Sequence, residues 1–544
     1  MDADEQDATP FRHLPLAASP SRASFSSSEA SERFSNLYGQ GRLQQGALLV
    51  AVLALVAMRA HGVAFRIATH PLQHWCKPPA VFSNLSVADW KKVGVPIETD
   101  GTWSRCTVFD VPDDPERRKP VRCRDWDYED HGVSSIVRRW NLVCHRHWLV
   151  SMAGTVDTLG AFVAPPLAGQ LADVANWPAR SRWFTLSTLV ASGGSSSAFA
   201  VAFVLLFEVT ASHYQTLFGT TAIVFGAVIA SLLSLALDGL PLLPAQLIGP
   251  APAGCLLLVC AATLSVESPR WLLAVWKVQE AQLLVLRAAD WNRQSREAAL
   301  QALGKATESM KLQTVATCGA ATLLDLVASY PLRLRAAIVL GISFSLVLTW
   351  QALRLNVGYP EHKLSRRLGL VLFWPVCFLT YQGMTSVGRL RTLCVLMLLL
   401  GLACCLLGVL QAVDPRGVAS TLLMLANICV SIALVVNFLC VAELFPTVVR
   451  SLAFGGAISA GRLGAYVAPA LASFAHRYSR EDLVHVLLGA MAFASSLSMM
   501  GLQESSSSRP TNTLRDVEVQ SLRKLRRSAR MSRGQHSSPR PAMR

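Results

Sequence analysis

A chain of 544 residues that is 52% hydrophobic and only 16% charged lacks the composition of a soluble globular protein, which carries roughly 25% charge. The net charge of +15 would suit nucleic acid, but residues 505–544 alone hold ten Arg/Lys against Asp516 and Glu518. More than half of the excess therefore sits in one Ser- and Pro-rich tail, which argues against a nucleic-acid surface and for a lipid bilayer with that tail on the cytoplasmic face.

Residues 1–44 are polar and Ser-rich without the apolar core of a cleavable signal, so they read as a disordered cytoplasmic tail and the first span as its own insertion signal. Eleven stretches are apolar enough to cross as helices: 45–66, 149–171, 184–207, 214–236, 244–265, 335–356, 367–385, 392–412, 419–441, 453–474 and 482–502. A helix needs about 20 such residues to cross a hydrocarbon core about 30 Å thick. Prolines 165, 166, 375 and 469 lie inside these stretches, as membrane helices tolerate where neighbours re-satisfy the freed carbonyls. The chain divides into an N-terminal bundle (45–266), a charged linker (267–334), a C-terminal bundle (335–503) and a basic cytoplasmic tail (504–544).

The loop at 68–147 carries both charge signs, Cys76, Cys106, Cys123 and Cys144, and the sequon Asn84-Leu85-Ser86. Cysteines clustered with a glycan acceptor point to the oxidising, extracellular side, with Asn84 glycosylated and the cysteines in disulfides. Spacing alone leaves three pairings open. The other nine cysteines lie mostly in apolar spans and read as small hydrophobes. In the linker, residues 280–292 have apolar side chains at helical spacing. They read as an amphipathic helix at the membrane surface or as an ordinary linker helix.

Two strings follow long apolar runs in opposite halves: Glu267-Ser-Pro-Arg-Trp-Leu-Leu273 and Ala442-Glu-Leu-Phe-Pro-Thr-Val-Val-Arg450. With the linker between them they resemble solute carrier family 22, the organic cation and anion transporters of the major facilitator superfamily. The likeness runs from about Arg33 to Glu504. Tyr38-Gly-Gln-Gly-Arg-Leu-Gln44, Trp140-Asn-Leu-Val-Cys144, Leu353-Arg-Leu-Asn356 and Ala460-Gly-Arg-Leu-Gly-Ala-Tyr-Val-Ala-Pro469 support it. The resemblance implies an all-α polytopic membrane protein of the major facilitator fold. Two pseudo-symmetric helical bundles would surround a central cavity, opening alternately to either side. It also implies Cys76 paired with Cys123 and Cys106 with Cys144, small organic ions as substrates with or without a counter-ion, and no cofactor.

The chain departs from the family at two turns; the one in the second half, Thr385-Ser-Val-Gly-Arg-Leu-Arg391, keeps Gly388 and Arg389 but loses the family's aspartate. Gly169-Gln-Leu-Ala-Asp173 matches the family's turn after its second span, but Val174-Ala-Asn-Trp-Pro178 replaces the basic residues that follow. Only 35 positions separate Asp173 from Glu208, which holds one span where the family has two, so the third span is missing. Eleven crossings put the termini on opposite sides, against the cytoplasmic character of both the tail and the linker. Either one segment does not fully cross, or the chain derives from a transcript lacking a helix.

A charge near mid-bilayer costs about 2.5–3.5 kcal/mol on insertion scales and needs a reason. Arg462 lies within the span 453–474 with no acid in the same span. In the family, arginine at this position goes with anion carriers, so Arg462 is the leading candidate for the anionic group of a substrate. The bland alternative is a structural partner for Asp157. Asp157, in the 149–171 span, could itself pair with Arg462, bind a cation or exchange a proton. Trp350 and Gln351 fall where the family lines its cavity, though a lone tryptophan near a helix end also serves as an interface anchor. Asp173, Glu208, Glu267, Arg270, Gly388, Arg389, Glu443 and Arg450 lie at the cytoplasmic ends of spans. There they could latch the halves together or merely snorkel.

No His/Cys/carboxylate cluster has metal spacing and no serine sits in a Gly-x-Ser-x-Gly elbow, so no enzyme is expected. The reading is a multi-pass plasma-membrane carrier of small organic ions, anion-leaning, by uniport or exchange. The alternative is a transport-inactive homologue or splice variant acting as a cell-surface receptor.

Overall fold

The computed structural model describes residues 41–502, except 71, 83, 99–101, 111–118, 130–134, 147, 168–179, 238–239, 265–266, 275–276, 312–325, 327–328, 356–362, 411–417, 479 and 501. Asp173 and both tails beyond these limits therefore lie outside the described residues.

Helices occupy the described part of every predicted apolar stretch. In the N-terminal half they are α1 (Arg42–Ala68), α4 (Trp148–Leu167), α5 (Arg180–Val209), α6 (Gln215–Leu237), α7 (Leu242–Ile248) and α8 (Pro250–Leu264). The stretch 244–265, expected as one helix, is divided at Gly249. Pro250 has no N–H to offer the preceding turn and biases its neighbour out of the helical region. In the C-terminal half lie α12 (Tyr330–Arg354), α13 (Lys363–Ser386), α14 (Arg389–Leu410), α15 (Val418–Leu444), α16 (Thr447–Tyr478) and α17 (Glu481–Met500). Among the described residues, eight helical stretches are long and apolar enough to cross a bilayer by length and composition. Side chains such as Leu232, Leu235, Leu258, Leu379, Val409 and Leu497 are exposed on their outer faces. Water would not tolerate apolar surface on this scale; hydrocarbon does.

Tight packing in the C-terminal half depends on glycine. A Cβ on Gly489 of α17 would stand 2.9 Å from the Gly401 carbonyl oxygen of α14. Two backbones that close admit no side chain, the small-residue packing that replaces a hydrophobic drive in lipid.

Between α1 and α4 the outer loop folds as a small disulfide module. It contains β1 (His74–Cys76), α2 (Val87–Gly94), β2 (Thr107–Phe109), β3 (Pro120–Arg122), β4 (Trp126–Tyr128) and α3 (Ile136–Arg139). β1 pairs antiparallel with β4, Cys76 opposite Trp126, and β2 pairs antiparallel with β3, Thr107 opposite Arg122. Cys76 is bonded to Cys123 and Cys106 to Cys144. The buried Trp90 indole of α2 donates to the Cys76 carbonyl at 2.8 Å, which fixes α2 on the ribbon. The Ser135 hydroxyl donates to the Ala68 carbonyl at 2.9 Å, which ties the module to the end of α1.

At the opposite end, α9 (Pro269–Ala274), α10 (Val278–Trp291) and α11 (Arg296–Lys311) form a cap. Ala281, Val285, Ala288 and Ala289 of α10 are buried against Leu272, Leu273, Ala299, Leu303 and Leu43 of α1. Those four side chains are thus covered by protein, while Leu283 of the same helix is exposed. Asn292, just after α10, accepts from the Leu43 N–H and donates to Gln44 Oε1, each at 3.2 Å. Gln44 also donates to the Val209 carbonyl at 3.1 Å, so the cap is bound to α1 and α5 together.

Helix directions follow from contacts to α16, whose first turns lie on the linker side. α5 is antiparallel to it, because Glu208 meets Arg450 and Ser196 meets Arg462. α4 is also antiparallel to it, because Ser459 donates to the Phe162 carbonyl and Thr155 reaches Tyr466. Successive helices α4 and α5 therefore run the same way, from loop side to linker side. Asp157 and Ser192 sit level, joined at 2.8 Å. Leu167 and Arg180 are then about 33 Å apart along the axis at 1.5 Å per residue. α6 returns to the loop side, where Ser234 accepts from Arg66, and α8 comes back beside Gly46 at the start of α1. In the other half α17 runs antiparallel to α14, Cys394 meeting Ser496, and ends on the linker side. The start of α1, the cap and the end of α17 share one side of the molecule. Among the described residues, α4 and α5 are two parallel neighbours.

Candidate functional site

Two layers of charge lie between the halves. On the linker side the Arg450 guanidinium donates to Glu208 at 2.9 Å, with the two side chains 7% and 5% exposed. Glu208 ends α5 and Arg450 opens α16, so this buried pair joins the halves. Beside it Arg389 donates to Glu443 at 2.9 Å within the C-terminal half and, through Nε, to Thr216 of α6 at 3.1 Å. Arg389 and Arg450 both lie 5.7 Å from the Phe207 ring. Gly388 holds φ at 110° in the turn that presents Arg389, a left-handed conformation open to glycine. Next to this layer an opening of about 310 Å³ runs between the start of α6 and α13–α15, lined by Tyr214, Tyr381, Arg389 and Glu443 among others. Above it Phe199 and Phe203 of α5 pack against Phe438 of α15 and Phe454 of α16; the Phe203 and Phe454 rings stack at 5.0 Å. The halves are closed at this level. Glu267 is exposed and forms no ion pair among the described residues, and Arg270 is half-buried in α9. Of the residues expected at the latch, the structure joins Glu208 to Arg450 and Arg389 to Glu443.

Toward the loop side the composition changes. Trp350 of α12 is half-buried and lies under two guanidiniums, Arg59 of α1 at 5.1 Å and Arg354 at 4.8 Å. Its ring faces the other half rather than lipid. Gln351 is half-buried beside it. Arg462 of α16 reaches Ser196 of α5 at 3.3 Å and forms no ion pair among the described residues. Asp157 does not pair with Arg462. Its carboxylate accepts from His61 of α1 at 2.8 Å instead. The Asp157 charge nevertheless acts on Arg462, and Arg462 and Arg354 act on Arg59, so these groups form one electrostatic cluster. Arg354, at the end of α12, is exposed, so among the described residues at this level the half-buried guanidiniums are those of Arg59 and Arg462, beside the carboxylate of Asp157.

Arg59 and His61 were not singled out from the sequence. The rule that found Arg462, a charge inside an apolar run, applies equally to Arg59. His61 has no such signal, because a lone histidine is unremarkable until its partner is seen. In the outer module His74, Cys106 and Cys144 come within mutual reach of a metal ion, but the two sulfurs are bonded to each other and offer no thiolate.

No family model matches the chain. Curated relatives do. Solute carrier family 22 member 6 of Pseudopleuronectes americanus is 24% identical over 543 residues, covering 90% of this chain and 94% of that one. Organic anion transporter 3 of Homo sapiens is 25% identical over 519 residues, covering 88% and 91%. Among solved structures, the proton:xylose symporter XylE of the major facilitator superfamily superposes with a TM-score of 0.55. It is 14% identical, over 88% of this chain and 98% of that one, a likeness of fold.

Proposed function

We propose that the chain is a member of solute carrier family 22, within the major facilitator superfamily, and that it carries small organic anions by alternating access. It is a multi-pass plasma-membrane protein and a transporter of organic ions, not an enzyme. The preference for anions rests on one observation: the guanidiniums of Arg59 and Arg462 lie between the halves, and the carboxylate beside them, Asp157, is already held by His61. An unpaired guanidinium inside a membrane protein is costly unless it has a task. A carboxylate or sulfonate can take two parallel N–H donors from Arg462, while the Trp350 ring offers a face to a flat organic body.

In this reading Glu208–Arg450, Arg389 and the phenylalanine layer close the linker side, and rocking of the halves breaks that layer to release the anion. Residues 45–266 and 335–503 act as the moving bundles and 267–334 as the cytoplasmic linker. The loop at 68–147 lies outside, with Asn84 glycosylated.

Uptake into cells expressing the chain tests the proposal. Labelled benzenesulfonate, which stays ionised at every working pH, should accumulate above background, and labelled tetramethylammonium should not. Equal exclusion of both, with normal surface expression, would favour the transport-inactive receptor instead.

A further inference from the structure

We propose that His61 and Asp157 form a proton site, and that one proton crosses with each anion; the inference rests on the anion-carrier reading above. The pair joins α1 to α4 at 2.8 Å, with the two side chains 17% and 16% exposed. The Ser192 hydroxyl of α5 holds the Asp157 backbone carbonyl. The site is thus braced by three helices and stays open enough to exchange protons.

The surrounding groups decide why this pair matters. On α1 the neighbours are Arg59 and Arg66, and on α12 and α16 they are Arg354, Arg462 and Tyr466. α4 has no titratable side chain besides Asp157, and α5 has none between 183 and 207. α6 and α7 have none, and α8 adds only the thiols Cys255 and Cys260. Guanidiniums keep their protons throughout the physiological range, as thiols and phenols largely do. The imidazole–carboxylate pair, two proton-carrying groups 2.8 Å apart, is therefore the part of the cluster built to take up and pass on a proton.

With Nε2 donating to Asp157, Nδ1 of His61 keeps the lone pair that accepts an added proton. A new N–H bond forms as an O–H bond of external hydronium breaks. The proton returns to water when the site opens to the linker side. The added proton raises the charge of the five-group cluster by one and strengthens its hold on an anion. By linkage the anion must strengthen the hold on the proton equally. A monovalent anion and its proton then cross together without net charge.

The test is benzenesulfonate uptake at pH 7.4 and 5.5, with a cytosolic pH reporter in the same cells. Uptake should rise several-fold at the lower external pH, and adding the sulfonate should acidify the cytosol. The variant His61→Gln should retain the hydrogen bond to Asp157 and flatten the pH profile. Uptake by the natural chain that ignores pH, or proceeds without acidification, would overturn the proton site and leave the anion carrier standing. A wild-type pH profile in His61→Gln would do the same. No uptake at any pH, with normal surface expression, would remove the carrier and this inference together.

Discussion

Arg450 and Arg462 lie twelve residues apart on α16, facing the same helix, α5, yet they meet different chemistry. Arg450 finds a dry carboxylate, Glu208, at 2.9 Å. Arg462 finds only a serine hydroxyl at 3.3 Å, with Arg59 and Arg354 adding like charge nearby. A buried pair that satisfies itself asks nothing of a ligand and can serve as a latch. Like charges gathered beside a ring and a hydroxyl repel one another, and an incoming anion relieves that repulsion. The contrast separates the part of the interface that closes the protein from the part that selects its cargo.

The largest expected effect comes from breaking the latch. Removing one partner of a buried ion pair leaves an uncompensated charge and costs about 3–5 kcal/mol. Glu208→Arg or Arg450→Glu alone should abolish sulfonate uptake, and the two together should restore part of it. Surface-normalised uptake across the four combinations measures the coupling. Additive losses with no recovery would mean that the two charges act separately.

A smaller effect belongs to the ring under the cations. Trp350→Ala forfeits cation–π and stacking contacts worth about 0.5–2 kcal/mol. It should weaken benzenesulfonate uptake a few-fold and methanesulfonate uptake less. Equal losses for the two anions would make Trp350 a packing residue only.

The smallest lies in the outer module, far from both layers. Ser86 of the sequon also caps α2, accepting from the Asp89 N–H. Asn84→Gln should remove a glycan, seen as a gel shift, with uptake unchanged. Ser86→Ala should remove the glycan and also cost about 1 kcal/mol of helix cap, lowering the yield of mature protein. Identical behaviour of the two variants would show that the cap contributes little.

Much of this was legible in the chain. Apolar runs of the right length located each helix, and Arg462 stood out because a charge in hydrocarbon needs a cause. Four things were not. Glu208 and Arg450 are 242 residues apart, and no local pattern joins them. The break at Gly249 was signalled by Pro250, but the surrounding apolar run hid it. The shared direction of α4 and α5 appears only when Phe162, Ser196, Ser459 and Arg462 are seen together, because alternation of direction is assumed when spans are counted. His61 was silent for a related reason: its meaning comes from Asp157 on another helix.

The central claim is that the guanidinium of Arg462, held between the halves by a hydroxyl alone among the described residues, selects an anion. The most direct measurement is benzenesulfonate and tetramethylammonium uptake by Arg462→Lys and Arg462→Asp, normalised to surface protein. Lys, a single point charge without the two-pronged donor, should keep a fraction of sulfonate uptake. Asp should lose it and gain none of the latch defects. Sulfonate uptake undiminished in Arg462→Asp would contradict the account.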